Sequence, residues 1–252
     1  MKLKYLLFLI ALSTGGFAHA QTVDEIISKY FENTGGLDKW KALQGTKMTA
    51  KVNQQGMEIP LVIVNLKDGR QMTVITFQGK EIKQGVYDGS SLWSHNFMNM
   101  KAEKSDAEST ENFKTNLGSD FPIPFVGYKE RGYKVELLGK ETVEGTETFK
   151  VKLTKKPIKV DGQPKDNIEF YYFDTADFVP LVIESEITSG PNKGMIGQAK
   201  LSDYQDAGGG LLFPFSLGQG IKGQQAGPPL TITKVELNPK VEDKDFVFPT
   251  GN

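Results

Sequence analysis

The sequence predicts a mostly β (α+β) protein, an antiparallel β-barrel with an N-terminal helix and a loop or helical lid. Three observations carry that reading. From Thr46 onward apolar residues recur with a period of two, whereas residues 22–43 follow a helical period. Turn signals separate the apolar runs at short intervals: Asp88-Gly89, Glu144-Gly145, Asp161-Gly162, Gly190-Pro191 and Gly208-Gly209-Gly210. Strand runs follow one another without a helix after each, which favours a meander over βαβ units. At 252 residues the chain is long enough for one all-β domain to use most of it.

The elements follow in order. Lys2 and Lys4 precede an apolar run over residues 5–12, and Ala18-His19-Ala20 supplies small residues at a cleavage site. This is the pattern of a secretory signal peptide over residues 1–20, cleaved after Ala20. The run is too short to span a bilayer as a helix. Residues 21–252 are then expected to form a single soluble, monomeric domain outside the cytoplasm. Thr22 with Glu25 reads as a capping box, and Val23, Ile26, Ile27, Tyr30 and Phe31 form the buried stripe of the helix it opens. Asn33-Thr34-Gly35-Gly36 breaks that helix, and Leu37, Trp40 and Leu43 suggest a second short one. Strands are expected over residues 46–52, 57–64, 72–76, 82–86, 92–97, 133–138, 146–153, 167–173, 179–187, 195–204, 211–217 and 230–237. Residues 101–117 read as a weak helix or a connection. Residues 119–125 carry two prolines among apolar residues, so no regular element forms there. The glycine- and proline-rich stretch 218–229 reads as a loop.

Composition excludes several chemistries. The formal net charge is -1, far from the basic footprint that nucleic acid requires. With the leader gone, 28 basic residues face 31 acidic ones, a net charge of -3. There is no cysteine, hence no thiol nucleophile, thiolate metal site or lipid attachment to a residue after the leader. Cleavage leaves one histidine, His95, too few for an imidazole metal site. No calcium loop and no phosphate-binding loop occurs. No catalytic residue, cofactor or metal is therefore assigned. A carboxylate-based hydrolase needs a facing pair, and Glu169, Glu184 and Glu186 read instead as the solvated faces of strands.

Apolar surface remains. Met48, Met57, Met72, Trp93, Phe97, Met98 and Met100 concentrate in the first half of the chain, and methionine adapts to varied apolar partners. Alternation nominates Met48, Ala50, Val52, Ile63, Met72, Val74, Trp93 and Phe97 as walls of an apolar cavity. Phe121, Ile123 and Phe125 are nominated as its lid.

The order of elements resembles the periplasmic outer-membrane lipoprotein-sorting superfamily, the LolA/LolB-like fold. The marks are residues 30–40 (YFENTGGLDKW) leading into the strand at 47–52, then residues 86–93 (VYDGSSLW). Leu201-Ser202-Asp203-Tyr204 with Phe213-Pro214-Phe215 and the ending at residues 241–249 (VEDKDFVFP) complete them. The resemblance implies an open barrel whose helices cap an apolar cavity. It implies a carrier or binding protein for a lipid, a lipoprotein acyl chain or another apolar ligand, with transient outer-membrane contact and no covalent chemistry. The same fold serves envelope sensors, so a protein-interaction module with an envelope partner is the alternative. The carrier's cavity arginine has no evident counterpart, since the only arginines, Arg70 and Arg131, fall in expected turns.

Overall fold

The computed structural model describes residues 21–116 and 120–249; the expected leader lies outside them. Helix α1 (Val23–Asn33) opens on the capping box. The Thr22 backbone N–H donates to Glu25 Oε2 at 2.8 Å, and the Glu25 N–H donates to Thr22 Oγ1 at 3.3 Å. Ile26, Ile27, Tyr30 and Phe31 form its buried stripe. Helix α2 (Leu37–Ala42) follows the expected break and buries Trp40. Thr34 ties the two together: its hydroxyl donates to Tyr30 O at 2.7 Å and accepts from Trp40 Nε1 at 3.1 Å. Gly35 has a φ of +113°, and a Cβ there would lie 2.1 Å from Gly210 O. Only glycine lets the helix break pass against the turn at residues 208–210.

Fifteen strands follow among the described residues. The first six are β1 (Gly45–Gln54), β2 (Met57–Leu66), β3 (Gln71–Phe77), β4 (Lys80–Tyr87), β5 (Leu92–His95) and β6 (Ala102–Lys104). Helix α3 (Ala107–Thr115) comes next, capped by Asp106. The remainder are β7 (Lys134–Val143), β8 (Thr146–Thr154), β9 (Ile158–Val160), β10 (Gln163–Lys165), β11 (Ile168–Asp174), β12 (Pro180–Glu186), β13 (Ile196–Asp206), β14 (Leu212–Ile221) and β15 (Leu230–Leu237). Thirteen of them form one antiparallel sheet in the order β6-β5-β4-β3-β2-β1-β15-β14-β13-β12-β11-β8-β7. β6 and β7 are its two edges and do not pair with each other, so the barrel is open. β9 and β10 form a separate hairpin around Asp161-Gly162, an element the sequence pattern signalled only by its turn. The stretch read as a loop from residue 218 continues β14 as far as Ile221.

Register decides what each face carries. Met48 pairs with Ile63, and Ala50 with Leu61, which pairs onward with Ile75. These residues share the face that packs on the helices, where the main core joins α1, α2 and the strands β1, β8, β11, β14 and β15. Lys47 pairs with Val64, and Val64 with Met72, on the opposite face. There Val64, Leu66, Met72, Val86 and Trp93 form a second core under the C-terminal segment, whose Phe246 is buried among them. Trp93 Nε1 donates to Phe246 O at 2.9 Å, and the Arg70 guanidinium lies 5.2 Å from the Phe246 ring centre while binding Asp243.

Candidate functional site

The proline-containing segment 120–126 crosses the helix face of the sheet as an irregular strap. A cavity of about 240 Å³ lies beneath it. Met48 and Thr46 of β1, Asn65 of β2 and Gln71 of β3 line one side. Phe121 and Ile123 of the strap, Tyr171 of β11 and Phe213 of β14 line the other. Beyond Met48 the same sheet face continues as an apolar strip of half-buried residues: Val52, Ile59, Leu61, Ile63 and Ile75. Phe77 and Met57 extend it, exposed, to the hairpin ends of β3 and β2. Helix α3 packs nearby through Phe113, whose ring lies 4.9 Å from that of Tyr87.

A buried ion cluster stands at one end of the cavity. Lys155 is 3% exposed; its Nζ donates to Asp120 Oδ2 at 2.9 Å and to Glu169 Oε1 at 2.5 Å. The Tyr133 hydroxyl donates to Asp120 Oδ1 and the Tyr171 hydroxyl to Glu169 Oε2, each at 2.8 Å. Arg131 Nη2 donates to Phe121 O at 3.0 Å. Arg131 Nη1 is buried without a hydrogen bond, 3.6 Å from Asp120 Oδ1. Burial opposes the charge on Lys155, but the charges of Glu169 and Asp120 outweigh it and hold the ammonium above its ordinary pKa. Burial and the neighbouring Glu169 push the Tyr171 hydroxyl well above the ordinary value, so it stays a donor. Asp120 and Glu169 border the cavity, and the cations stand behind them.

The nominated residues divide among three environments. Met48, Ala50, Val52 and Ile63 share the helix face, Met48 bordering the cavity and Ala50 fully buried. Met72, Val74 and Trp93 must be corrected: they pack on the opposite face, in or against the core beneath the C-terminal segment. The alternation within each strand was legible, but its phase relative to the neighbouring strand was not. Phe97 is also corrected, being 61% exposed. β5 ends at His95 because Asn96 starts a turn, its N–H donating to Lys101 O and its side chain accepting from the Met98 N–H. Of the nominated lid, Phe121 and Ile123 border the cavity. Phe125 is 3% exposed and packs 4.8 Å from the Tyr171 ring and 5.6 Å from Phe173, as an anchor of the strap.

The sequence pattern did not single out Asp120, Lys155 or Tyr171; it placed Glu169 on a solvated strand face, whereas Glu169 is largely enclosed in the ion cluster, and it left Arg131 in its turn without joining it to the cluster. One signal was available: Asp120 opens an otherwise apolar segment, and a lone acid there needs a partner. His95 sits away from the cavity, against Trp93. Its Nδ1 accepts from the Lys83 N–H at 2.9 Å, and burial, then Lys83, lowers its pKa. Glu184 lies on the outer sheet face, bound by Tyr172, Gln198 and Lys222. It does not face Glu169. Among the described residues no group of three or more His, Asp and Glu could hold a metal.

No family model and no curated protein matches the chain. Solved structures do. A DUF1329 family protein from Desulfovibrio piger aligns over 90% of this chain and 98% of its own at 12% identity, with a TM-score of 0.52. A LolA superfamily protein from Nitrosomonas europaea aligns over 90% and 98% at 14% identity and 0.51. The chain has the LolA-like fold. A domain assigned to outer membrane lipoprotein sorting, from Vibrio parahaemolyticus, shares it over 88% of this chain and 94% of its own, at 11% identity and 0.50. This LolA-like sheet is open between β6 and β7, and α1, α2 and the strap cover one face of it.

Proposed function

We propose that this protein is a periplasmic binding or carrier protein for an apolar chain, such as the acyl chain of a lipid or lipoprotein, and performs no covalent chemistry. The observation that carries this is the cavity under the strap together with its continuation as a half-buried apolar strip on the same sheet face. At about 240 Å³ the cavity is smaller than the roughly 300–1,000 Å³ of sites that enclose a drug-sized ligand. It takes a short alkyl segment as it stands, and a longer chain extends along Ile63, Leu61 and Ile59. Each buried methylene contributes about 0.8 kcal/mol, so half a dozen supply about 5 kcal/mol toward extraction from a membrane. The carboxylates at the cavity end are tied to Lys155, which suits a structural and recognition role better than acid–base catalysis. Residues 21–252 are proposed to act as a single domain after removal of residues 1–20.

Native mass spectrometry of the protein purified from the periplasm tests this. The expected result is a bound single-chain or acylated mass that Met48→Trp, which fills the cavity, displaces. Protein without any such adduct, which also binds neither a twelve-carbon fatty acid nor its monoacylglycerol, overturns the reading.

A protein partner has one observation in its favour. β7 is a ten-residue, largely exposed edge strand that pairs only with β8 among the described residues, and such an edge can accept an extended segment. Pull-down from envelope extracts separates the two: a stoichiometric protein partner with no bound lipid favours the interaction module.

A further inference from the structure

The apolar cavity ends on charge, and the order of charges there is asymmetric. Asp120 and Glu169 border the cavity, whereas neither Lys155 nor Arg131 does. The formal charges of these four groups cancel, yet they cancel as a dipole whose negative end faces the ligand. At contact distance the nearer oxygens decide the interaction. Both carboxylates are held in place: Asp120 by Lys155 and Tyr133, Glu169 by Lys155 and Tyr171. An ionised carboxylate has about four acceptor positions. Glu169 uses two of them among the described contacts, so it retains acceptor capacity at the border of the cavity. Among the described residues no hydrogen-bond donor of comparable charge lines the site. Asn65 and Gln71 amides and the Thr46 hydroxyl are the polar groups opposite.

We infer that this cavity selects a single-chain lipid whose head is a hydrogen-bond donor without negative charge, such as a glycerol hydroxyl or an amide N–H, and disfavours a free fatty-acid carboxylate. Glu169, with Asp120 beside it, is the specificity-determining group. The inference rests on the apolar-chain reading above and goes one step further, naming the head of the ligand. A donor head gains a charge-assisted hydrogen bond. A carboxylate head at the same position meets two acceptors of its own sign and finds no cation on the cavity side.

Isothermal titration calorimetry at pH 7.5 with dodecanoate and 1-monododecanoylglycerol, both below their aggregation concentrations, reads this directly on the wild-type protein. The expected result is at least tenfold tighter binding of the monoacylglycerol, with Glu169→Gln narrowing the ratio to about threefold or less, chiefly by admitting dodecanoate. Circular dichroism melting verifies that Glu169→Gln is folded, and the wild-type ratio needs no variant. Dodecanoate binding as tightly as the monoacylglycerol overturns the head-group inference and leaves the apolar-chain reading standing. A wild-type preference that Glu169→Gln and Asp120→Asn both leave unchanged overturns the assignment to these residues. Binding of neither probe, by a protein that also carries no acylated adduct as purified, overturns both readings.

Discussion

Replacing Lys155 by methionine keeps the length and most of the volume of the side chain and removes its charge. The ammonium is almost wholly enclosed and bridges Asp120 at 2.9 Å and Glu169 at 2.5 Å. At an effective dielectric constant of about 20, each attraction is worth about 6 kcal/mol before desolvation, and dehydrating three ions offsets most of that. The net cost of deleting one partner is set by the charges left behind. Two carboxylates, 9% and 19% exposed, would face each other with Tyr133, Tyr171 and the more distant Arg131, among the described residues, to stabilise them. Breaking a buried pair in this way costs about 3–5 kcal/mol. In a domain of this size each kcal/mol moves Tm by about 2–4 °C, so Lys155→Met is expected to lower Tm by about 6–20 °C at pH 7. Thermal melts followed by circular dichroism measure it, with the exposed neighbour Lys156→Met as control, expected within about 0.5 kcal/mol of wild type. A Tm within about 2 °C of wild type at pH 7 would refute the reasoning.

Two further outcomes follow from the same structure. Phe125→Ala, in the core between Tyr171 and Phe173, should cost about 3–5 kcal/mol in urea unfolding, whereas Phe97→Ala at the exposed turn should change stability by no more than about 0.5 kcal/mol; similar losses at both positions would contradict the placement of these rings. His95 is held neutral by burial and by Lys83, so its folded-state pKa lies below the unfolded value of about 6.5. The unfolded chain then binds the extra proton, and stability present above pH 6.5 is lost as pH falls toward the folded-state value. His95→Gln should remove that step. Denaturation midpoints of both proteins at pH 7.5, 6.5 and 5.5 test it, and a wild-type-minus-variant difference that is flat across the window is the contrary result.

Local signals determined a large part of this protein. Thr22 and Glu25 fixed the start of α1 because a capping box involves only residues three apart. Turn pairs and period-two alternation located most strands of the meander, because both are properties of one or two adjacent segments. The absence of cysteine and the scarcity of histidine narrowed the chemistry to binding or carboxylates before any contact was known. Tertiary structure alone decided the rest. Which face of β3 joins which core depends on the Val64–Met72 and Ile63–Thr73 pairs, and no intrastrand pattern encodes the register that makes them. The C-terminal segment supplies Phe246 to a core formed by residues over 150 positions earlier, turning Met72 and Trp93 from the expected cavity wall into the second core. The ion cluster gathers Asp120, Arg131, Lys155 and Glu169 from four separate segments. Read singly, each is an ordinary charged residue; only folding buries them together, and burial is what gives their pairing its energy and its place at the end of the cavity.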